Sequence, residues 1–387
     1  MATAFEGFVC HDCGERADDR DGHRCPACSS TLVADYDYGD ASIPTSDTPG
    51  GMYRYDDLLP FSRDSAVTLE EGGTPLIDCP ALAEDLGVGA VYVKDEGRNP
   101  SGAAVDRGLS VAVTAARERG ADAVALPSTG NGAQSSAAYA ARAGLDSEAF
   151  VPSRCPFVDK AMTNVHGGDM SVVEGRYPDA LAAFEDARAD ADRVPVDPAS
   201  PYRPEGAKTI LHEIGAQLDA EPDAVVTPVG HGTLLTGLAR AAEERTRLGL
   251  AADSPRLYAA QPTGCSPVVD AFDAGETTPR VPDHPDTICG ALEVPDPACG
   301  AAALAGIERT GGDAVAVEDD RLLAAAVETA ETTGLSPSAT GGTAVAAARV
   351  LAAQGAFDGD ETVVLVNPVA GNKENDLLRS HLMSRGV

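Results

Sequence analysis

A chain of 387 residues, 43% of them apolar, exceeds one ordinary compact domain and can bury the cores of two or three. Its net charge of −32 argues against free nucleic acid as a ligand, because phosphate backbones are bound by basic surfaces. No run of about 18 apolar residues predicts a membrane span, and no basic segment followed by an apolar core opens the chain, so it reads as cytoplasmic.

The basic residues are unusual. Only four are lysines (Lys94, Lys160, Lys208 and Lys373), and Trp is absent. Acid runs such as "DARADADR" and "VEDDR" separate alanine-rich stretches. A solvated acidic face accounts for such runs. A high-salt cytoplasm, where carboxylates keep the surface hydrated and self-repulsion is screened, accounts for the whole balance and is the expectation here.

In chain order, the first element is a metal knuckle. Cys10 and Cys13 form one CxxC pair and Cys25 and Cys28 another, spaced C-x2-C-x11-C-x2-C. Two such turns can place four thiolates tetrahedrally around one Zn²⁺ and close its shell, so residues 1–38 are expected to be a structural zinc ribbon. His11 and His23 are then superfluous and expected in solvent. A pair of redox CxxC motifs would need a helix behind each pair, and none is suggested. The other five cysteines (Cys79, Cys155, Cys265, Cys289, Cys299) read as small buried hydrophobes.

Residues 39–66, rich in Gly, Pro, Ser, Thr and Asp, read as a linker. Beyond it, strand runs at 90–94, 123–127, 148–152, 170–175, 224–230, 256–262, 314–318 and 362–368 alternate with helical runs. The helical runs are 106–119, 132–143, 177–189, 205–219, 233–247, 319–333 and 340–353. That alternation predicts an α/β fold with mainly parallel sheets, whose ligands sit where strands turn into helices.

Two of these turns have ligand chemistry. "TPVGHGTLLTG" brings the backbone of Gly230, His231, Gly232, Thr233 and Leu234 to a helix start, where unpaired N–H groups and the dipole attract a phosphate. His231 reads equally as a donor or as an exposed loop residue. "LPSTGNGAQSS" presents Ser128, Thr129, Gly130 and Asn131, which suit a carboxylate but, taken alone, read sooner as an ordinary helix cap.

Together with "KDEGRNPSGAAVDRG", these loops resemble, in order and wording, the threonine synthase branch of the fold-type-II pyridoxal-phosphate enzymes. "EGGTPLIDCPALAEDLGVGAVYVK", "PYRPEGAKTILHEIGAQL" and "NPVAGNKEND" are weaker echoes of the same branch, which often carries an N-terminal zinc ribbon. The resemblance spans nearly the whole chain. It implies a two-domain architecture: a larger domain from 67–90 and 196–387, and a smaller one from 91–195. It also implies a phosphate loop at 230–234, a ring-oxygen contact at Asn131 and a substrate-carboxylate loop at 128–130.

One departure matters most. The lysine that forms the family's Schiff base matches Val105, which has no amine. Ala103 and Ala104 replace a serine and a phenylalanine, whereas Asp106, Arg107 and Gly108 are kept. Pro368 stands near the family's hydroxyl partner of the ring nitrogen and has neither a hydroxyl nor an N–H. None of the four lysines reads as a relocated amine. The resemblance therefore implies a degenerate, non-catalytic member that binds pyridoxal phosphate or a phosphorylated amino acid noncovalently at most. Such a chain could pair with itself or with an active paralogue. The competing readings are an active enzyme making threonine from O-phosphohomoserine and a zinc-ribbon binding module.

Overall fold

The computed structural model describes residues 3–17, 23–39, 41, 43, 44, 50–188 and 193–386. An amino-terminal ribbon comprises β1 (Phe5–Cys10), β2 (Arg16–Ala17) and β3 (Leu32–Tyr36), in the antiparallel order β2-β1-β3. The body then runs β4 (Leu76–Asp78), α1 (Pro80–Leu86), β5 (Ala90–Asp95), α2 (Val105–Glu118), β6 (Ala123–Pro127), α3 (Asn131–Ala143), β7 (Asp146–Pro152), α4 (Phe157–Val165), β8 (Asp169–Val173), α5 (Tyr177–Arg188) and β9 (Val194–Pro195). It continues with α6 (Arg203–Leu218), β10 (Ala224–Pro228), α7 (Thr233–Arg247), β11 (Arg256–Pro262), α8 (Pro267–Asp273), α9 (Gly300–Thr310), β12 (Ala314–Val317), α10 (Asp319–Thr333), α11 (Ala339–Ala353), β13 (Thr362–Asn367) and α12 (Asn375–Ser384).

The larger sheet has the order β12-β11-β10-β13-β5-β4, parallel except for β4. The smaller sheet, β8-β7-β6-β9, is parallel throughout. Both faces of the larger sheet are covered, which is why its strands read as apolar runs. Alternation sorts their side chains. Ala224 and Val226 of β10 join the core under α1, α10 and α11, whereas Val225 joins Ile210, Leu211, Ile214 and Leu238 of α6 and α7. The core of α2 and α3 on the smaller sheet is continuous with the ribbon, for Phe8, Leu32 and Tyr36 pack in one cluster with Leu109, Val113 and Tyr139.

Two boundaries differ from the sequence reading. Strand β5, expected in the smaller domain, pairs with β13 in the larger sheet, from Ala90 against Thr362 to Asp95 against Asn367. An apolar run does not say which sheet it will join. The linker expectation also fails over its described part: Met52, Tyr53, Tyr55 and Leu58 of the 3₁₀ segment Gly51–Leu58 are buried. Tyr53 Oη lies 3.0 Å from Ser110 Oγ of α2. Aromatic and methionine side chains among polar neighbours carried that signal. Residues 40, 42 and 45–49 of the same stretch, and residue 189 of the expected 177–189 run, lie outside the described residues.

Candidate functional site

Three strand ends converge on one cavity of ≈ 150 Å³. The chain leaving β6 contributes Ser128, Thr129 and Asn131, the chain leaving β10 contributes Gly230, His231, Gly232, Thr233 and Leu234, and the chain leaving β13 contributes Pro368 and Val369. Ala103, Ala104 and Val105 enter at the start of α2. They are held against the larger sheet, for the Ala104 N–H donates to the Pro368 carbonyl at 2.8 Å. Of the residues singled out in these loops, Gly130 alone does not line the cavity: its φ of 151° makes the turn instead, and its position is packed against Asp159.

The 230–234 loop has the geometry of an anion cradle. Gly232 has φ +82°, and a Cβ there would lie 2.9 Å from the Cys299 carbonyl oxygen. Thr233 begins α7 behind Gly232 with no side chain capping the helix, so its first N–H groups remain for a ligand. His231 is not the exposed loop residue that was one of its readings. Its Nδ1 is buried without a partner and its ring meets Tyr177 edge-on at 4.9 Å. Burial, with Arg203 nearby, pushes its pKa down to about 3, so it is neutral near pH 7. The Oδ1 of Asn131 is likewise buried without a partner. Ser128 behaves partly as a local cap, its Oγ accepting from the N–H groups of Gly130 and Ala133 at 3.0 and 3.1 Å.

Sequence reading missed three polar residues here. Arg203, at the start of α6, lines the cavity and donates to the Val196 carbonyl at 3.0 Å, while its Nε has no partner. Burial lowers its pKa to about 10, still cationic at neutral pH. Thr340 of α11 also lines the cavity, and its Oγ1 donates to Glu374 at 2.7 Å. Lys373 lines an adjoining cavity of ≈ 580 Å³ that shares Thr129, Asn131 and Ala291 with the first. Its Nζ is engaged by Gln134 at 2.6 Å, Asp159 at 2.8 Å and the Ser101 carbonyl at 3.1 Å. These residues come from segments distant in sequence, so no local spacing marked them.

The other lysines lie elsewhere. Lys94 is fully buried against Glu213 at 2.7 Å, Lys208 pairs with Glu205 and Glu244, and Lys160 caps the Ser153 carbonyl. Among the described residues, no lysine lines the cavity that holds Val105.

The ribbon brings Cys10, Cys13, Cys25 and Cys28 within 4.8 Å of one another. The sulfurs stand 3.4 Å (Cys10–Cys28), 3.6 Å (Cys13–Cys28) and 3.7 Å (Cys13–Cys25) apart. Sulfurs about 2.3 Å from a tetrahedral centre stand about 3.8 Å apart, so the cluster fits Zn²⁺. The N–H of Cys13 lowers the Cys10 thiol to about 6, whereas neighbouring thiols push Cys13 and Cys28 up, so without a cation one thiol of the cluster ionises at the expense of the others. His11 is exposed as expected, but His23 is not. It is 8% exposed, with Nδ1 3.5 Å from Asp197 Oδ1, because Asp197 supplies a buried carboxylate that the sequence placed far away. Cys79, Cys155, Cys265, Cys289 and Cys299 are all buried.

A family model described as pyridoxal-phosphate dependent enzyme matches residues 67–369. The chain belongs to that family. Within it, the threonine synthase of Methanosarcina acetivorans is 35% identical over 364 residues, covering 92% of this chain and 89% of that one. The threonine synthase of Methanocaldococcus jannaschii is 32% identical over 376 residues, covering 95% and 93%. Among solved structures, the processed form of threonine deaminase isoform 2 from Solanum lycopersicum superposes with a TM-score of 0.71 at 20% identity, covering 89% of this chain and 92% of that one. Maize serine racemase gives 0.69 at 20%, covering 81% and 94%. These two likenesses establish the fold. Among the described residues of this pyridoxal-phosphate family member, no helix is long and apolar enough to cross a membrane.

The cavity fits part of the family's cofactor. The glycine cradle suits its phosphate, and the orphaned Asn131 carbonyl and Arg203 Nε await polar partners. Among the described residues that line it, none is a lysine.

Proposed function

We propose that this chain is a non-catalytic member of the threonine synthase branch that binds pyridoxal phosphate, or a phosphorylated amino acid, noncovalently. The observation that carries the reading is the apolar Val105 at the start of α2, in a cavity that keeps its phosphate cradle and is lined by no lysine among the described residues. When bound, pyridoxal phosphate supplies an electron sink for carbanions. The chain's own residues would do less. The N–H groups of the 230–234 loop and the positive end of α7 hold a phosphate. Asn131 and Arg203 orient polar groups, and Ala103, Ala104 and Val105 form an apolar floor. Val105 can neither bond to an aldehyde nor carry a proton. The same reading assigns a structural Zn²⁺ to Cys10, Cys13, Cys25 and Cys28, and a halophilic setting to the acidic surface.

Absorption spectroscopy and native mass spectrometry test the reading together. We expect a cofactor mass that survives native spraying and disappears on denaturation, without a visible band that borohydride abolishes. A borohydride-fixed adduct, or threonine formed from O-phosphohomoserine, would replace the reading with that of an active enzyme.

A further inference from the structure

The ribbon packs against a turn that also forms part of the pocket wall. The turn Asp197–Arg203 has two faces: Pro198 and Arg203 line the ligand cavity, while Asp197 and Tyr202 face the ribbon. Phe8 of β1 packs edge-on against Tyr202 at 4.9 Å. Asp197 organises the turn, accepting from the Ala199 N–H at 2.7 Å through its side chain and from the Ser200 N–H at 3.0 Å through its carbonyl. Its side chain is 7% exposed, and the ribbon group facing it is His23. A third cavity of ≈ 400 Å³ lies at this junction, and it shares Pro127, Pro198 and His231 with the ligand pocket. His23 is two residues from Cys25. The path from sulfur cluster to pocket is therefore Cys25, His23, Asp197, Pro198.

We infer that His23 is a positioning residue for the ligand pocket and that metal loading of the ribbon is thermodynamically linked to ligand binding. The ribbon's strands pack into the core of the body, but Cys13 and Cys28 at the tips of its knuckles are exposed, so metal–thiolate bonds would supply the order that apolar burial does not reach there. Removing the metal frees the knuckle that carries His23. Asp197 is then a buried carboxylate without its facing group, which is costly, and the 197–203 turn rearranges to rehydrate it. Pro198 and Arg203 move with it. Linkage makes the effect reciprocal, so a bound ligand also tightens metal retention. The inference rests on the noncovalent anion pocket proposed above.

The experiment uses the full chain, with inorganic phosphate and pyridoxal phosphate as calorimetric probes. It compares metal-loaded and chelator-treated protein, native and His23→Ala, and follows amide hydrogen exchange at 197–203. In the native chain, chelation should weaken probe binding about fivefold or more and raise exchange at that turn. Metal-loaded His23→Ala should keep its metal yet start from the weakened affinity, with chelation adding less than about twofold because the coupled step is already lost. His23→Gln, which retains a side-chain donor, should recover most of the affinity. Native-like binding by metal-loaded His23→Ala, or an equal loss on chelation in both proteins, would overturn the inference. If the native chain binds neither probe, the pocket reading fails, and exchange alone decides. Unchanged exchange at 197–203 on chelation then sinks the coupling as well, whereas a rise absent from His23→Ala sustains it.

Discussion

Gly206 of α6 faces the main chain of Arg107 in α2 so closely that a Cβ on it would lie 2.0 Å from the Arg107 carbonyl oxygen. One turn away, a Cβ on Gly108 would lie 2.7 Å from the Arg203 carbonyl oxygen. These two glycines let the helices cross in backbone contact, and the crossing places Val105 and Arg203 in the same cavity. Because the obstacle is backbone rather than a flexible side chain, Gly206→Ala cannot be absorbed by a rotamer change. It should cost about 3 kcal/mol, the upper end for overpacking, or prevent folding. Denaturant unfolding of native and variant chains measures it, and a loss well under about 1 kcal/mol would show that the crossing relaxes freely.

Acid should weaken the network around this crossing. Glu213 receives Lys94 and Arg107, each at 2.7 Å, in a fully buried site. Burial alone would raise its pKa, but Arg107 and Lys94 outweigh burial and hold the carboxyl well below the usual range. A depressed folded-state pKa contributes stability that is complete above the unfolded value and lost as pH falls toward the folded one. Glu213→Gln should therefore cost about 3–5 kcal/mol at neutral pH, by leaving buried cations short of a partner. The gap between native and variant should narrow below about pH 4, as the carboxyl of the unfolded chain takes up a proton that the folded one still does not bind. A gap independent of pH between neutral and acid would contradict this.

Metal analysis of freshly purified protein should give one zinc per chain, and X-ray absorption should report sulfur ligands at about 2.3 Å. Cys10→Ser should lose the metal and lower the unfolding temperature. Well under one equivalent in the native chain would remove zinc from the ribbon.

The cradle is tested at Gly232. Its positive φ and the Cys299 carbonyl make alanine strained there, so the loop should shift in Gly232→Ala. Binding of pyridoxal phosphate and of inorganic phosphate should fall about tenfold or more, equivalent to about 1.4 kcal/mol. Unaltered calorimetric titrations would place the anion site elsewhere.

The native chain should form no threonine from O-phosphohomoserine with added cofactor. Val105→Lys restores an amine at the start of α2 but leaves Ala103, Ala104 and Pro368 in the lining. Misplaced reacting groups cost on the order of a hundredfold, so partial turnover at most is expected. Full activity from the single substitution would show that those three residues matter little.

Much of this was legible in the residues alone. Alanine-rich runs alternating with strand runs located the helices that became α2, α3, α5, α6, α7, α10 and α11, although α2, α6 and α11 proved buried on all sides over most of their length. Glycine-rich strand-to-helix turns announced the cradle, and cysteine spacing announced the cluster, since both are local geometries written into adjacent residues. Short helices such as α8 and α9 escaped notice because a few small residues carry too little pattern.

The sequence by itself determined that residue 105 is a valine, where the resemblance leads one to expect a lysine, and that four sulfurs recur in metal-knuckle spacing. Only the tertiary structure decided which distant groups meet. It put β5 in the larger sheet, brought Arg203 and Thr340 into the wall, and buried His23 against Asp197. Such pairings are settled by which backbones can approach and which buried charges must be matched. Those constraints exist only once the chain has closed on itself.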